Sequence, residues 1–126
     1  MDYNIETEFV KKYVKKEYQE RLLFELQSKK HREKAISRFS HFSTTILKNT
    51  FNSCDIIELK NHLCRLHNLK EKCYIVSNDE NDGLMLFISD AIEYCANSYL
   101  TMILISEKIV VVKEEYEKKP VILIST

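Results

Sequence analysis

The stretch Leu100-Thr101-Met102-Ile103-Leu104-Ile105, Ser106-Glu107-Lys108, Ile109-Val110-Val111-Val112-Lys113 decides the class of fold. Two apolar, β-branched runs flank three polar residues, a spacing tight enough for a hairpin. A third such run, Val121 to Ile124, follows Pro120, which suits the first residue of a strand. Upstream, Cys73 to Ser77 is a short apolar run between polar clusters and reads as another strand. Asn78 to Gly83 reads as a turn, and Ser89 followed by Asp90 is placed to cap a short helix to about Asn97.

Before Lys72 the pattern is helical. Val10, Val14, Tyr18, Leu22 and Leu26 recur every fourth residue, which predicts one helix over Thr7 to Ser28. Lys29 to Lys48 reads as a second helix with Ile36, Phe39, Ile46 and Leu47 inward. Asp55 to about Asn68 reads as a third, with Ile56, Leu59, Leu63 and Leu66 as its seam. The order is ααα then βαβββ. The expected class is therefore α+β, one domain over 1–126, with a helical half (about 1–70) and a half built on a small, mostly antiparallel sheet (about 72–126). The strand runs are nearly continuous apolar stretches, so both sheet faces should be covered. Helices can cover one; the other meets a second subunit, in which case a symmetric dimer is expected, or a partner, or the helical half wraps both faces.

Composition excludes several mechanisms. One glycine, Gly83, cannot write a dinucleotide fingerprint, a phosphate loop or a nucleophile elbow, all of which need several. Forty-four per cent apolar residues suffice for one core, and a net charge of zero excludes a strongly basic chromatin-type protein. Met1 to Glu8 carry three acids and no apolar run, no stretch is long enough for a membrane span, and no C-x-x-C occurs among four cysteines. A reducing cytoplasm with free thiols is the expected setting. No cofactor is implied.

The charge is divided. Residues 1–72 hold 15 Lys+Arg and 10 Asp+Glu, net +5, and residues 73–126 hold 4 and 9, net −5. Asp79, Glu80, Asp82, Glu114, Glu115 and Glu117 therefore mark an acidic surface suited to a basic protein partner. The basic run Lys11, Lys12, Lys15, Lys16, Lys29, Lys30, Arg32 and Lys34 marks the alternative, a nucleic-acid surface, although Glu17, Glu20, Glu25 and Glu33 interrupt it.

Other constellations are incomplete. His62, Cys64, His67 and Cys73 carry zinc-type ligands without a paired knuckle. Asn78 to Gly83 resembles half a calcium loop, but its twelfth position falls on Ser89 instead of a glutamate. A thiol enzyme would use Cys73 or Cys95, with a base that the sequence does not specify.

The segments Phe9-Val10-Lys11-Lys12-Tyr13, Glu20 to Leu26, Arg38-Phe39-Ser40-His41, Cys73-Tyr74-Ile75-Val76-Ser77, Asp82-Gly83 and Asp90-Ala91-Ile92-Glu93 together resemble a group of small bacterial proteins of unknown function. In that group a C-Y-[IV]-[IV]-S strand precedes a D-G turn, a short helix and a terminal hairpin. The resemblance marks Arg21, Arg38, His41, Ser77, Asp82 and Gly83 for testing and assigns none a role. The hairpin departs from it, with Ser106-Glu107-Lys108 in place of Pro-Gly. The functional expectation is a protein-binding module such as an immunity or antitoxin-like inhibitor. Nucleic-acid accessory and unrecognised enzyme are the alternatives.

Overall fold

A computed structural model describes residues 1–39, 52–53, 61, 71–98, 100–106, 109–113 and 121–124. The elements are α1 (Tyr3–Tyr13), α2 (Lys16–Gln27), α3 (Arg32–Arg38), β1 (Asn52–Ser53), β2 (Lys72–Ser77), β3 (Met85–Phe87), α4 (Ile88–Ala96), β4 (Met102–Ile105), β5 (Ile109–Lys113) and β6 (Val121–Ile124). The class is α+β, with three N-terminal helices and an antiparallel sheet. Strand order is β1-β6-β5-β4-β2-β3, and every pairing is antiparallel. The β4–β5 register, with Ile105 opposite Val110, agrees with the hairpin spacing.

Alternation sorts the sheet's side chains into two cores. Tyr74, Val76, Ile103, Val110 and Val112 face α1–α3 and pack with Phe9, Val10, Val14, Leu22, Leu26, Ile36 and Phe39. Cys73, Ile75, Met102, Leu104 and Val111 face the other way and pack with Ile88, Ala91, Ile92 and Cys95 of α4. Those α4 residues recur at i, i+3, i+4 and i+7, one stripe of a helix. Both faces therefore carry packed helices, and among the described residues the second is covered by α4.

Four expectations are corrected. The helix expected over Thr7 to Ser28 is two, because Val14 and Lys15 are extended, with ψ of 142° and 138°. A continuous helix would stack Lys11 on Lys15 and Lys12 on Lys16, like charges at i, i+4 that oppose it. The Gln19 amide donates to the Val14 carbonyl at 2.9 Å and the Lys11 carbonyl at 3.3 Å, which satisfies acceptors released at the break. Second, Ser89 does not cap α4. Phe87 holds that position without a side-chain cap, because the chain passes directly from β3 into the helix. Third, the expected order lacks β1 and β3; strands of two and three residues are too short to show alternation. Fourth, β4 starts at Met102, two residues after Leu100. The described part of the expected second helix starts at Arg32 instead of Lys29, its continuation beyond Phe39 lies outside the described residues, and so does all but Asn61 of the third.

Candidate functional site

The turn between β2 and β3 is held from both sides. Asp79 accepts from the Ser77 hydroxyl at 2.6 Å and the Asn81 amide at 2.9 Å. Gly83 has φ +83°, the left-handed region a side chain resists, and its N–H donates to the Ile75 carbonyl at 2.7 Å. Asn78 donates to the Glu33 carbonyl and to the Ser37 hydroxyl, tying the turn to α3.

Beneath the turn is a buried ion cluster. Arg32 donates to both Glu6 oxygens at 2.7 and 2.8 Å, to both Asp82 oxygens at 2.6 and 2.9 Å, and to the Leu26 carbonyl at 2.8 Å. The Tyr74 hydroxyl donates to Glu6 and accepts from the Asp2 amide. Burial alone would lower the Arg32 pKa, but the bonds to Asp82 and Glu6 prevail and hold it above its ordinary value. Burial, then the bond to Glu6, pushes Tyr74 up. Five donor contacts from one guanidinium hold α1, α3 and the turn in register.

This cluster was missed in the sequence, although a signal exists. Glu6 continues the four-residue stripe of Val10 and Val14, and Arg32 precedes buried Ile36 by four. A charge on the apolar stripe marks a buried ion pair. Glu25, likewise between Leu22 and Leu26, forms ion pairs with Arg21 at 3.3 Å and Arg38 at 3.2 Å, so two residues singled out by the resemblance converge on one carboxylate. Ser77, Asp82 and Gly83 organise the turn; His41 lies outside the described residues.

Of the acids marked for a partner, Glu80 is exposed, Asp79 is half-buried within the turn, and the Asp82 carboxylate is held by Arg32. Glu114, Glu115 and Glu117 lie outside the described residues. The structure adds Asp90 and Glu93, exposed on α4, with the Tyr94 hydroxyl donating to Glu80 at 3.3 Å. Residues 73–98 contain five acids and no Lys, Arg or His. Of the basic run, Lys11, Lys12, Lys16, Lys29, Lys30 and Lys34 are exposed on the helical layer, Lys15 is half-buried, and Arg32 is turned inward. Glu8, Glu17, Glu20 and Glu33 are exposed among them.

Cys73 and Cys95 are buried, and burial pushes their thiols up to about 12 and about 11. An activated nucleophile needs the opposite shift. His62, Cys64 and His67 lie outside the described residues.

A cleft of about 290 Å³ opens between α1 and the sheet. Ile5, Phe9, Met85, Ile105 and Val110 give it an apolar lining, and Glu8, Lys12 and Lys72 lie on its wall. Beside it, Met85 and Phe87 of β3 are 49% and 45% exposed. No family model, curated protein or solved structure matches the chain. The resemblance drawn above rests on its motif alone.

Proposed function

We propose that the chain works by binding a basic protein, as an immunity or antitoxin-like inhibitor in a bacterial cytoplasm. One observation carries this reading: Glu80, Asp90 and Glu93 face solvent around Tyr94, in a segment without a cation. The contact centre is placed on α4 and Glu80, because Asp82 already serves Arg32. An acidic, rigidly held face speeds and orients association with a basic partner. The test is affinity purification of the tagged protein from its native host, with and without nuclease, beside the variant E80K/D90K/E93K. One stoichiometric protein that survives nuclease and is lost in the variant is expected. A partner retained by the variant would move the surface elsewhere.

The exposed lysines of the helical layer favour the second reading, nucleic-acid association. It predicts a gel shift at low salt that weakens steeply as salt rises. Bound material lost on nuclease treatment would favour it over the inhibitor.

A further inference from the structure

We propose that β3 accepts an extended acidic-apolar peptide as a seventh strand of the sheet. The surface is separate from α4, and the proposal stands independently of the inhibitor reading.

Among the described residues, β3 is the last strand in the order and pairs only with β2. The Ile75 amide donates to the Leu84 carbonyl at 2.9 Å, and the Ile88 amide donates to the Glu71 carbonyl at 2.8 Å. Hydrogen-bonded pairs alternate along an antiparallel ladder. The pair midway between these two, Cys73 with Leu86, is thus hydrogen-bonded. Met85 and Phe87 stand opposite Tyr74 and Lys72 in the intervening pairs and turn their N–H groups away from β2. The Met85 carbonyl turns outward as well, whereas the Phe87 carbonyl lies at the start of α4. Two donors and an acceptor along an open edge are a template for one more strand.

The side chains agree. Met85 and Phe87 point to the same sheet face, the one that carries α1, yet lie half out of its cover. Met85 also lines the cleft against Ile5, Phe9 and Ile105. An added strand would send alternate side chains to this face, where one apolar group fills the cleft. The Lys72 ammonium lies 5.6 Å from the Phe87 ring centroid, and that of Lys12 lies 5.8 Å from the Tyr13 centroid. Glu8 lines the cleft one turn from Lys12, so Lys72 is the cation that favours an acid in the incoming segment.

A second copy of this chain fits poorly. Three residues span about 10 Å of strand. A β3-to-β3 junction falls well short of the ~800 Å² per partner that stable complexes bury. Symmetric pairing would also gather both copies' Lys72 at the junction. A peptide needs no such area and meets Lys72 with opposite charge.

The test is selection of a phage-displayed library of random ten-residue peptides on the intact protein, followed by fluorescence anisotropy with the enriched peptide. Enriched sequences should alternate apolar residues and carry Asp or Glu. Met85→Pro removes an outward N–H and leaves the β2 ladder intact, since proline is tolerated on the open side of an edge strand. It should weaken the peptide about tenfold, with an unchanged circular dichroism spectrum. Should Met85→Pro fold poorly, Lys72→Glu serves instead, with a similar loss and recovery by a peptide whose acids are replaced by lysine. E80K/D90K/E93K should bind the peptide as the parent does, which separates this edge from the α4 surface. No enriched peptide, or one indifferent to both Met85→Pro and Lys72→Glu, would overturn the proposal. So would a sedimentation-equilibrium dimer that Met85→Pro dissociates, because a second copy would then occupy the edge.

Discussion

Arg32 shows how one side chain can be decisive. Its side chain is 10% exposed, and those of Glu6 and Asp82 are 3% and 14%. Removing one member of a buried ion cluster leaves the others uncompensated, at about 3–5 kcal/mol. Arg32→Met should therefore cost several times more than Arg21→Met, whose guanidinium is largely in water; urea unfolding of the two variants measures the difference. Gly83→Ala should cost about 1–2 kcal/mol, from the left-handed backbone and from a Cβ 2.7 Å from Met1 Sδ; much of the clash is relieved by movement of the flexible methionine. The thiols make a pH prediction. Cys73 and Cys95 titrate higher when folded than their ordinary value near 9. Their protonated forms suit the core, so their contribution is complete below pH 9 and is lost as pH rises through about 11 to 12. Urea midpoints should fall between pH 9 and 11, less steeply in Cys73→Ala. Alkylation at pH 8, mapped by mass spectrometry, should modify both thiols far more slowly than in the denatured chain.

At the scale of elements, strands with a long apolar signal were legible and those without one were not. Ile109–Lys113 and Val121–Ile124 fall where their β-branched runs place them, and Lys72–Ser77 differs from its expected start by one residue. β3 has only Met85, Leu86 and Phe87, and apolar residues continue directly into α4, so nothing punctuates the boundary. The break at Val14 was hidden for a related reason. Val10, Val14, Leu22 and Leu26 are buried, but Tyr18, the stripe's middle member, is 38% exposed, so the stripe is interrupted just after the helix is. The opposing signal was electrostatic, four lysines at i, i+4 positions, and Gln19 completes it by bonding the released carbonyls. Gln19→Ala should destabilise by about 1 kcal/mol, as loss of other terminus-satisfying bonds does. Gln19→Glu, which cannot donate, should match the alanine variant in thermal unfolding. The candidate site followed the same division. The charge asymmetry was visible in sequence, but the inward direction of Asp82 depends on Arg32, fifty residues away, and no local pattern carries that pairing.

Across the whole molecule, zero net charge conceals a separation. Residues 1–39 hold ten Lys+Arg and seven Asp+Glu, and the buried Arg32, Glu6 and Glu25 remove one cation and two anions from that surface. The layer's outer face is therefore basic. On the far side of the sheet, α4 carries Asp90 and Glu93 and no cation, and Glu80 joins it through Tyr94. The sheet and its two cores lie between these two described faces. Charges this far apart interact weakly through water at ordinary ionic strength, because screening acts over about 8–10 Å. Each face thus acts on its surroundings as a patch of its own sign. Near its sequence pI of about 6.9, a protein with evenly mixed charges would pass through both types of ion exchanger. This chain should be retarded by both at low salt and released from both as salt rises. E80K/D90K/E93K should abolish retention on the anion exchanger and strengthen it on the cation exchanger. Lys11→Glu with Lys30→Glu should do the reverse. Equal changes on both resins would mean that net charge alone governs the surface, and the basis for an acidic docking face would be gone.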